Sequence, residues 1–274
     1  MSIPPYAWVF SDPFHSIFVI CTTSLSFFSN FCLLFIISSP ASSQLGAYRY
    51  LLASFAVCDM MTSATHALVL PLVHMTSYGF YFFPQHAGRN ILFGVSLDTP
   101  LCLLFVATYY QTFIVLAFHF VYRCVTVKSG LSGSFTASRL STFQWALIAL
   151  VVYCLYTSFF VGVSLIALTP SEETRAIVPP EVFDLYGVDL TNPNCGFTVA
   201  SIKQRNPFTC EMAWHAPTLV AELLLFLVFG GTGSVILYCI IQISRAMRSL
   251  EIEFSATSRQ LQKNLFHALL IQVR

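Results

Sequence analysis

Charge is what this sequence has least of. Lys, Arg, Asp and Glu together make up 9% of its 274 residues, while 56% are hydrophobic; soluble domains carry roughly 25% charge. A water-soluble fold cannot be that apolar from end to end, so the lipid bilayer is the principal partner. The 13 basic residues nearly balance the 12 acidic ones, and no Lys/Arg cluster or basic stripe offers nucleic acid a footprint. Also missing are a Cys-x-x-Cys pair and any His/Cys group at zinc spacing. Gly-x-Ser-x-Gly, His-Glu-x-x-His and a paired carboxylate set are absent too. Neither enzyme chemistry nor a metal or cofactor is therefore expected. There is no Asn-x-Ser/Thr acceptor for N-glycosylation. No internal repeat appears, which counts against the paired halves common in transporters.

What the chain does have is long apolar runs. A membrane-crossing helix needs roughly 20 mostly apolar residues, and five stretches qualify: 14–38, 50–74, 99–122, 142–168 and 217–244. A sixth begins at 264 and breaks off at 274. The predicted fold class is thus all-α transmembrane: a serpentine helix bundle of five complete spans plus the start of a sixth, forming a single domain over 1–274 that is incomplete at its C-terminus. No Lys or Arg precedes the first run, and that run exceeds the apolar core of a signal peptide, so it reads as a retained span.

Lys and Arg accumulate in cytoplasmic loops. Arg49, Arg123, Lys128, Arg139, Arg245, Arg248, Arg259 and Lys263 put eight on one side; Arg89, Arg175, Lys203 and Arg205 put four on the other, among most of the acidic residues. This split predicts an extracellular N-terminus. The longest connection, Thr169 to Ala216, then lies outside, carries the turn cluster Thr191-Asn192-Pro193-Asn194-Cys195-Gly196, and is expected to cap the bundle.

Carboxylates are costly inside a bilayer, and two fall within spans: Asp59 near mid-membrane and Glu222 about two turns below the outer surface. Asp59 can either fix helix packing or serve a switch, and Glu222 either snorkels or lines a pocket mouth. Phe105, Tyr109 and Tyr110 of the third span, with Glu222 near the mouth, form the candidate ligand pocket, since small-molecule sites are mostly apolar with a few placed polar groups. Tyr109 and Phe105 share one helix face. Gln111 and His119 add polar groups to the same span. Gly230, Gly231 and Gly233 would permit close helix approach or a kink. Most of the nine cysteines are dispersed singly; Cys102, Cys195 and Cys210 are the disulfide candidates. The third span ends in Phe118-His119-Phe120-Val121-Tyr122-Arg123. That ending suits either an interfacial anchor or a signalling switch.

Three ordered stretches carry a family resemblance: Leu45-Gly46-Ala47-Tyr48-Arg49-Tyr50-Leu51-Leu52, Phe118 to Arg123, and Leu261 through Gln272. They resemble the first cytoplasmic loop, third-span exit and sixth-span entry of nematode seven-transmembrane chemosensory receptors of the Str type, here truncated in the sixth span. The resemblance implies a G protein-coupled, odorant-like receptor for a small-molecule ligand, partnered by a heterotrimeric G protein in the plasma membrane of a sensory neuron cilium. It makes Tyr122 and Arg123 similar to the G-protein switch of rhodopsin-like receptors, and Asn30 and Asp59 similar to their intramembrane polar pair. The rival readings are a multi-span transporter or channel subunit and a receptor product without signalling activity.

Overall fold

A computed structural model describes residues 13–40, 48–132, 141–205 and 211–249. Five of its helices are long and apolar enough to cross a membrane. They are α1 (Phe14–Ser38), α2 (Tyr48–Val69), α3 (Asp98–Ser132), α4 (Thr142–Ala167) and α7 (Ala216–Ser249). The expected start of a sixth span at 264–274 lies outside the described residues.

Two helix bounds differ from the sequence expectation. The second helix stops at Val69 instead of reaching residue 74, because Pro71 disfavours helical backbone at the residue before it and Leu70 turns to a left-handed φ of 47°. Residues 71–76 then become a strand. The third helix runs on to Ser132, so Tyr122 and Arg123 lie inside it and not at its end.

The connections outside the spans are folded. Strands β1 (Pro71–Thr76), β2 (Gly79–Pro84) and β5 (Thr198–Ser201) form an antiparallel sheet in the order β1-β2-β5. Short hairpins pair β3 (Ile91–Leu92) with β4 (Val95–Ser96) and β6 (Lys203–Arg205) with β7 (Met212–Trp214), and two single-turn helices, α5 (Glu172–Ala176) and α6 (Glu181–Tyr186), lie between α4 and β5. Glycine is required where β2 meets β5: Gly79 has φ +155°, and a Cβ there would run into the Ala200 carbonyl. Leu72, Tyr81, Phe83, Val182, Val188, Leu190, Phe197 and Val199 bury one another beneath this sheet. A local hydrophobic core of this kind stabilises a loop assembly that a pair of strands could not hold alone.

The contacts gather into two compact units, Met1–Thr112 with Leu155–Leu227 and Phe113–Cys154 with Val228–Arg274. In the first, α1 and α2 are joined by short-range polar contacts: Ser63 Oγ lies 2.7 Å from Ser26 Oγ, and the Thr23 hydroxyl donates to the Ser63 carbonyl at 3.2 Å. Small hydroxylated residues let helix backbones approach closely in lipid, where apolar attraction between helices is weak. The second unit holds the ring contact Phe113–Phe229 at 4.4 Å and Lys128 over the Tyr238 ring at 5.8 Å. A Cβ added at Gly230, Gly231 or Gly233 would meet open space, so no close approach is built on them among the described residues.

Candidate functional site

Phe105, Tyr109 and Tyr110 stand at the centre of a chain of aromatic rings in the first unit. Phe105 meets Phe82 of β2 at 5.2 Å and His66 of α2 at 5.6 Å. Tyr109 stacks on Phe105 at 6.0 Å and meets Tyr110 edge-on at 5.7 Å. Tyr110 stacks closely on Phe160 of α4 at 4.1 Å, and Phe160 in turn meets Tyr156 at 4.8 Å. The four-residue spacing of Phe105 and Tyr109 puts the two rings on one face; Tyr110, a quarter turn or so around, faces α4 instead. Tyr109 is the most open of the three at 51% exposure. Glu222 of α7 is half-buried and within electrostatic reach of the Tyr110 phenol.

The structure therefore brings all four expected ligand residues into one neighbourhood, and adds His66, Phe82, Tyr156 and Phe160 from other elements. Pairwise ring geometry of this sort contributes beyond area burial. It leaves a surface that is apolar with phenol, imidazole and carboxylate groups at its edges. Gln111 is not on that surface: fully buried, it donates to the Cys58 carbonyl and the Thr62 hydroxyl, each at 3.4 Å, while Thr62 donates to the Thr108 carbonyl at 2.8 Å. This polar group serves the α2–α3 contact.

The most completely hydrogen-bonded carboxylate is one that sequence reasoning left among the loop charges. Asp98, at the first position of α3, is wholly buried. It accepts from the Gly88 amide at 2.6 Å, the Asn90 side-chain amide at 2.7 Å and the Gly196 amide at 3.1 Å. Gly196 can come that close only without a side chain, since a Cβ would run into the Thr99 amide and the Asp98 Cβ. Arg175 gathers the neighbouring turn from the other side, donating to the carbonyls of Leu190 (3.2 Å), Asn192 (3.1 Å) and Cys195 (2.7 Å) while lying over the Phe197 ring at 5.0 Å. The signal was present in sequence as an Asp at a helix start, with glycines in the two loops that approach it.

Cys102 and Cys195 are both buried free thiols, and Cys210 lies outside the described residues. Burial first, and then the neighbouring Asp98, push the Cys195 thiol up to about 12, with Arg175 opposing the shift. Asn30 is buried and gives its side-chain amide to the Ser26 carbonyl at 2.9 Å and the Ser26 hydroxyl at 3.4 Å; Asp59, half-buried on α2, takes no part in those bonds.

The second unit contains the expected switch residues. Arg123 is 5% exposed, His119 one turn earlier is fully buried, and Tyr122 meets the Trp145 ring of α4 edge-on at 5.7 Å. The Arg123 side chain is thus covered by protein and not spread on its surface.

A single comparison decides the family. A profile described as serpentine type 7TM GPCR chemoreceptor Str matches residues 15–274. The chain belongs to the Str family of serpentine chemoreceptors. Among curated relatives, this Str chain is 24% identical over 246 residues to the G-protein coupled receptor str-33 of Caenorhabditis elegans, covering 89% of this chain and 68% of that one. It is also 24% identical over 250 residues to the serpentine receptor class r-10 of Caenorhabditis briggsae, covering 91% and 69% respectively. The Str chain is thus a membrane-embedded member of a receptor family, as its five apolar helices require, and the transporter and channel readings lose their basis. The matches at 48–52 and 118–123 fall on described helices; 45–47 and 261–272 lie outside the described residues.

Proposed function

We propose that this Str chain binds a small, largely apolar chemical ligand at the aromatic neighbourhood of Phe105, Tyr109 and Tyr110, and signals to a heterotrimeric G protein through Tyr122 and Arg123. The observation that carries the reading is the unbroken series of rings from Phe82 through Phe105, Tyr109 and Tyr110 to Phe160, with Glu222 beside it. A volatile or steroid-like molecule would gain about 25 cal/mol per Å² of apolar surface buried, before the costs of association. The phenols and carboxylate at the edge would set selectivity. The Lys/Arg asymmetry supports an extracellular N-terminus, and family membership supports the plasma membrane of a sensory neuron cilium as its place of work.

A ligand panel read through a G-protein reporter tests both halves. Tyr109→Phe and Glu222→Gln are expected to change the order of preferred ligands while surface expression holds, and Phe105→Ala to weaken response broadly. Arg123→Ala is expected to preserve ligand binding and remove coupling, because a buried cation released from its helix neighbours is what a partner would capture. Unchanged dose-response curves for the three pocket variants would remove the ligand site from this neighbourhood. Full coupling by Arg123→Ala would reduce that residue to a structural part of α3. Glycosylation reporters at residue 2 and Ser255 check the orientation, with only the first expected to be modified.

A further inference from the structure

The segment joining β2 to α3 contains a hairpin whose chemistry the ligand and coupling sites do not explain. Strands β3 and β4 pair Ile91 with Ser96 and Leu92 with Val95, leaving Phe93 and Gly94 as a two-residue turn. Both have positive φ, 51° and 80°, the backbone of a primed turn in which Asn-Gly is the relaxed choice. Phe at such a φ is disfavoured sterically, so this turn keeps a large ring where turn chemistry asks for a small polar side chain. The ring is not packed inside. Phe93 is 96% exposed, and Ile91, Leu92 and Val95 beside it are exposed as well. From Asn90 to Leu97 there is no charged residue.

This apolar tip is held in place. The Leu97 amide donates to the Asn90 carbonyl at 2.7 Å, the Asn90 side chain donates to Asp98 at 2.7 Å, and the helical ladder begins at once with Leu101 N–H to the Leu97 carbonyl at 2.9 Å. The hairpin is therefore mounted directly on the first turn of a membrane-spanning helix. Phe93 is five residues before Asp98, so at about 3.3 Å per residue its backbone stays within about 17 Å of the helix start. A tip tethered this near the end of a span can reach the headgroup layer, which is about 5–7 Å deep on either side of the hydrocarbon core. Its polar neighbours, Asn90, Ser96 and the exposed Arg89, sit at the base of the hairpin and not at its tip, and a cation beside an apolar tip is the arrangement of interfacial anchors at lipid headgroups.

We propose that the β3–β4 hairpin is a wedge that inserts Phe93, with Ile91, Leu92 and Val95 around it, into the phospholipid interface of the leaflet in which α3 begins. Rigid aromatic and aliphatic groups at headgroup depth fix the height and tilt of the helix end they are mounted on. The loop thereby acts as a membrane anchor for the wall that carries Phe105 and Tyr109.

Depth-resolved fluorescence tests it. Trp8, Trp145 and Trp214 are replaced by Phe, Phe93→Trp supplies the single reporter, and the full chain is reconstituted in phosphatidylcholine vesicles with or without brominated acyl chains. The expected result is blue-shifted emission, most of it lost in brominated lipid, with aqueous iodide having little effect. Strong iodide quenching without bromolipid quenching would place the tip in water and overturn the proposal. Shielding from both quenchers would overturn it in favour of a protein partner or a second copy of this chain. Leu92→Trp, on the same hairpin, repeats the measurement should the first reporter lower the yield of folded protein.

Discussion

The start of α3 and the middle of α2 each hold an aspartate away from bulk water, and the two are treated in opposite ways. Asp98 receives donors from three separate stretches of chain: Gly88, Asn90 and Gly196. Asp59 lies half-buried within a membrane-spanning helix, and among the described residues no hydrogen bond reaches its carboxylate. A buried charge with its acceptor sites filled is part of the fold, because each donor it holds would otherwise be left without a partner in a low-dielectric place. A carboxylate kept inside a span without such donors is not explained by the fold, and functional residues concentrate at positions of that kind. Burial alone does not separate the two roles; the donors do.

Removing each carboxylate tests that contrast, with the largest effect expected at Asp98. Asp98→Ala leaves the Gly88, Asn90 and Gly196 donors unmet and should cost about 3–5 kcal/mol, seen as a lower unfolding temperature in detergent and loss of surface expression. Asp59→Asn should leave both at their original levels while altering the signalling response. Equal loss of expression in the two variants would erase the distinction, and so would an Asp98→Ala protein as stable as its parent.

A smaller effect is expected inside the spans, where polar contacts contribute less than their burial suggests. Gln111→Leu deletes, among its contacts, the bonds to Cys58 and Thr62. Interhelical hydrogen bonds in membrane proteins are worth about 0.6–1.7 kcal/mol, since a helix freed from one partner finds another. The variant should therefore express and lose only a few degrees of thermal stability. A loss as large as that of Asp98→Ala would show that the α2–α3 contact, and not the clamp at the start of α3, is the principal polar support of this unit.

The spans were legible because an apolar run of more than twenty residues has few other solutions. Their ends were less so. Leu70 and Pro71 look like more of the same run, and only the pre-proline restriction marks the change from helix to strand there. The sheet was hidden for a related reason: Phe80, Tyr81, Phe82 and Phe83 form a continuous apolar string without the alternation that announces a half-exposed strand, because two faces of β2 are covered, one by its own core and one toward Phe105. The aromatic neighbourhood was half legible. Helical spacing put Phe105 and Tyr109 on one face, whereas Phe82, Phe160 and His66 reach it from distant positions that no local period connects. Asp98 was missed because a loop acid ordinarily stays solvated, and the glycines that converge on it are 98 residues apart from it in one case.

The smallest expected effect belongs to His74, on the sheet side of the comparison. Its ring on β1 meets Tyr186 edge-on at 5.8 Å and lies 6.5 Å from Tyr81, its cross-strand partner. Burial among these rings lowers the imidazole below its usual range, and the opposing pull of the Glu181 carboxylate is the weaker influence. A histidine lowered in this way favours the folded state while neutral. Its contribution is complete above the ordinary imidazole value of about 6.5 and declines as pH falls through the lowered folded value, since the unfolded chain takes up the proton first. Protection of the β1 and β2 amides, taken relative to their intrinsic exchange rate at each pH, should therefore fall as pH is brought from about 7 to about 5, with the amides around Asp98 following only if the sheet opens as a whole. His74→Gln should remove most of that acid sensitivity. Protection factors in the sheet that rise on acidification, or that respond identically in His74→Gln, would show that Glu181 outweighs burial or that another group controls the sheet.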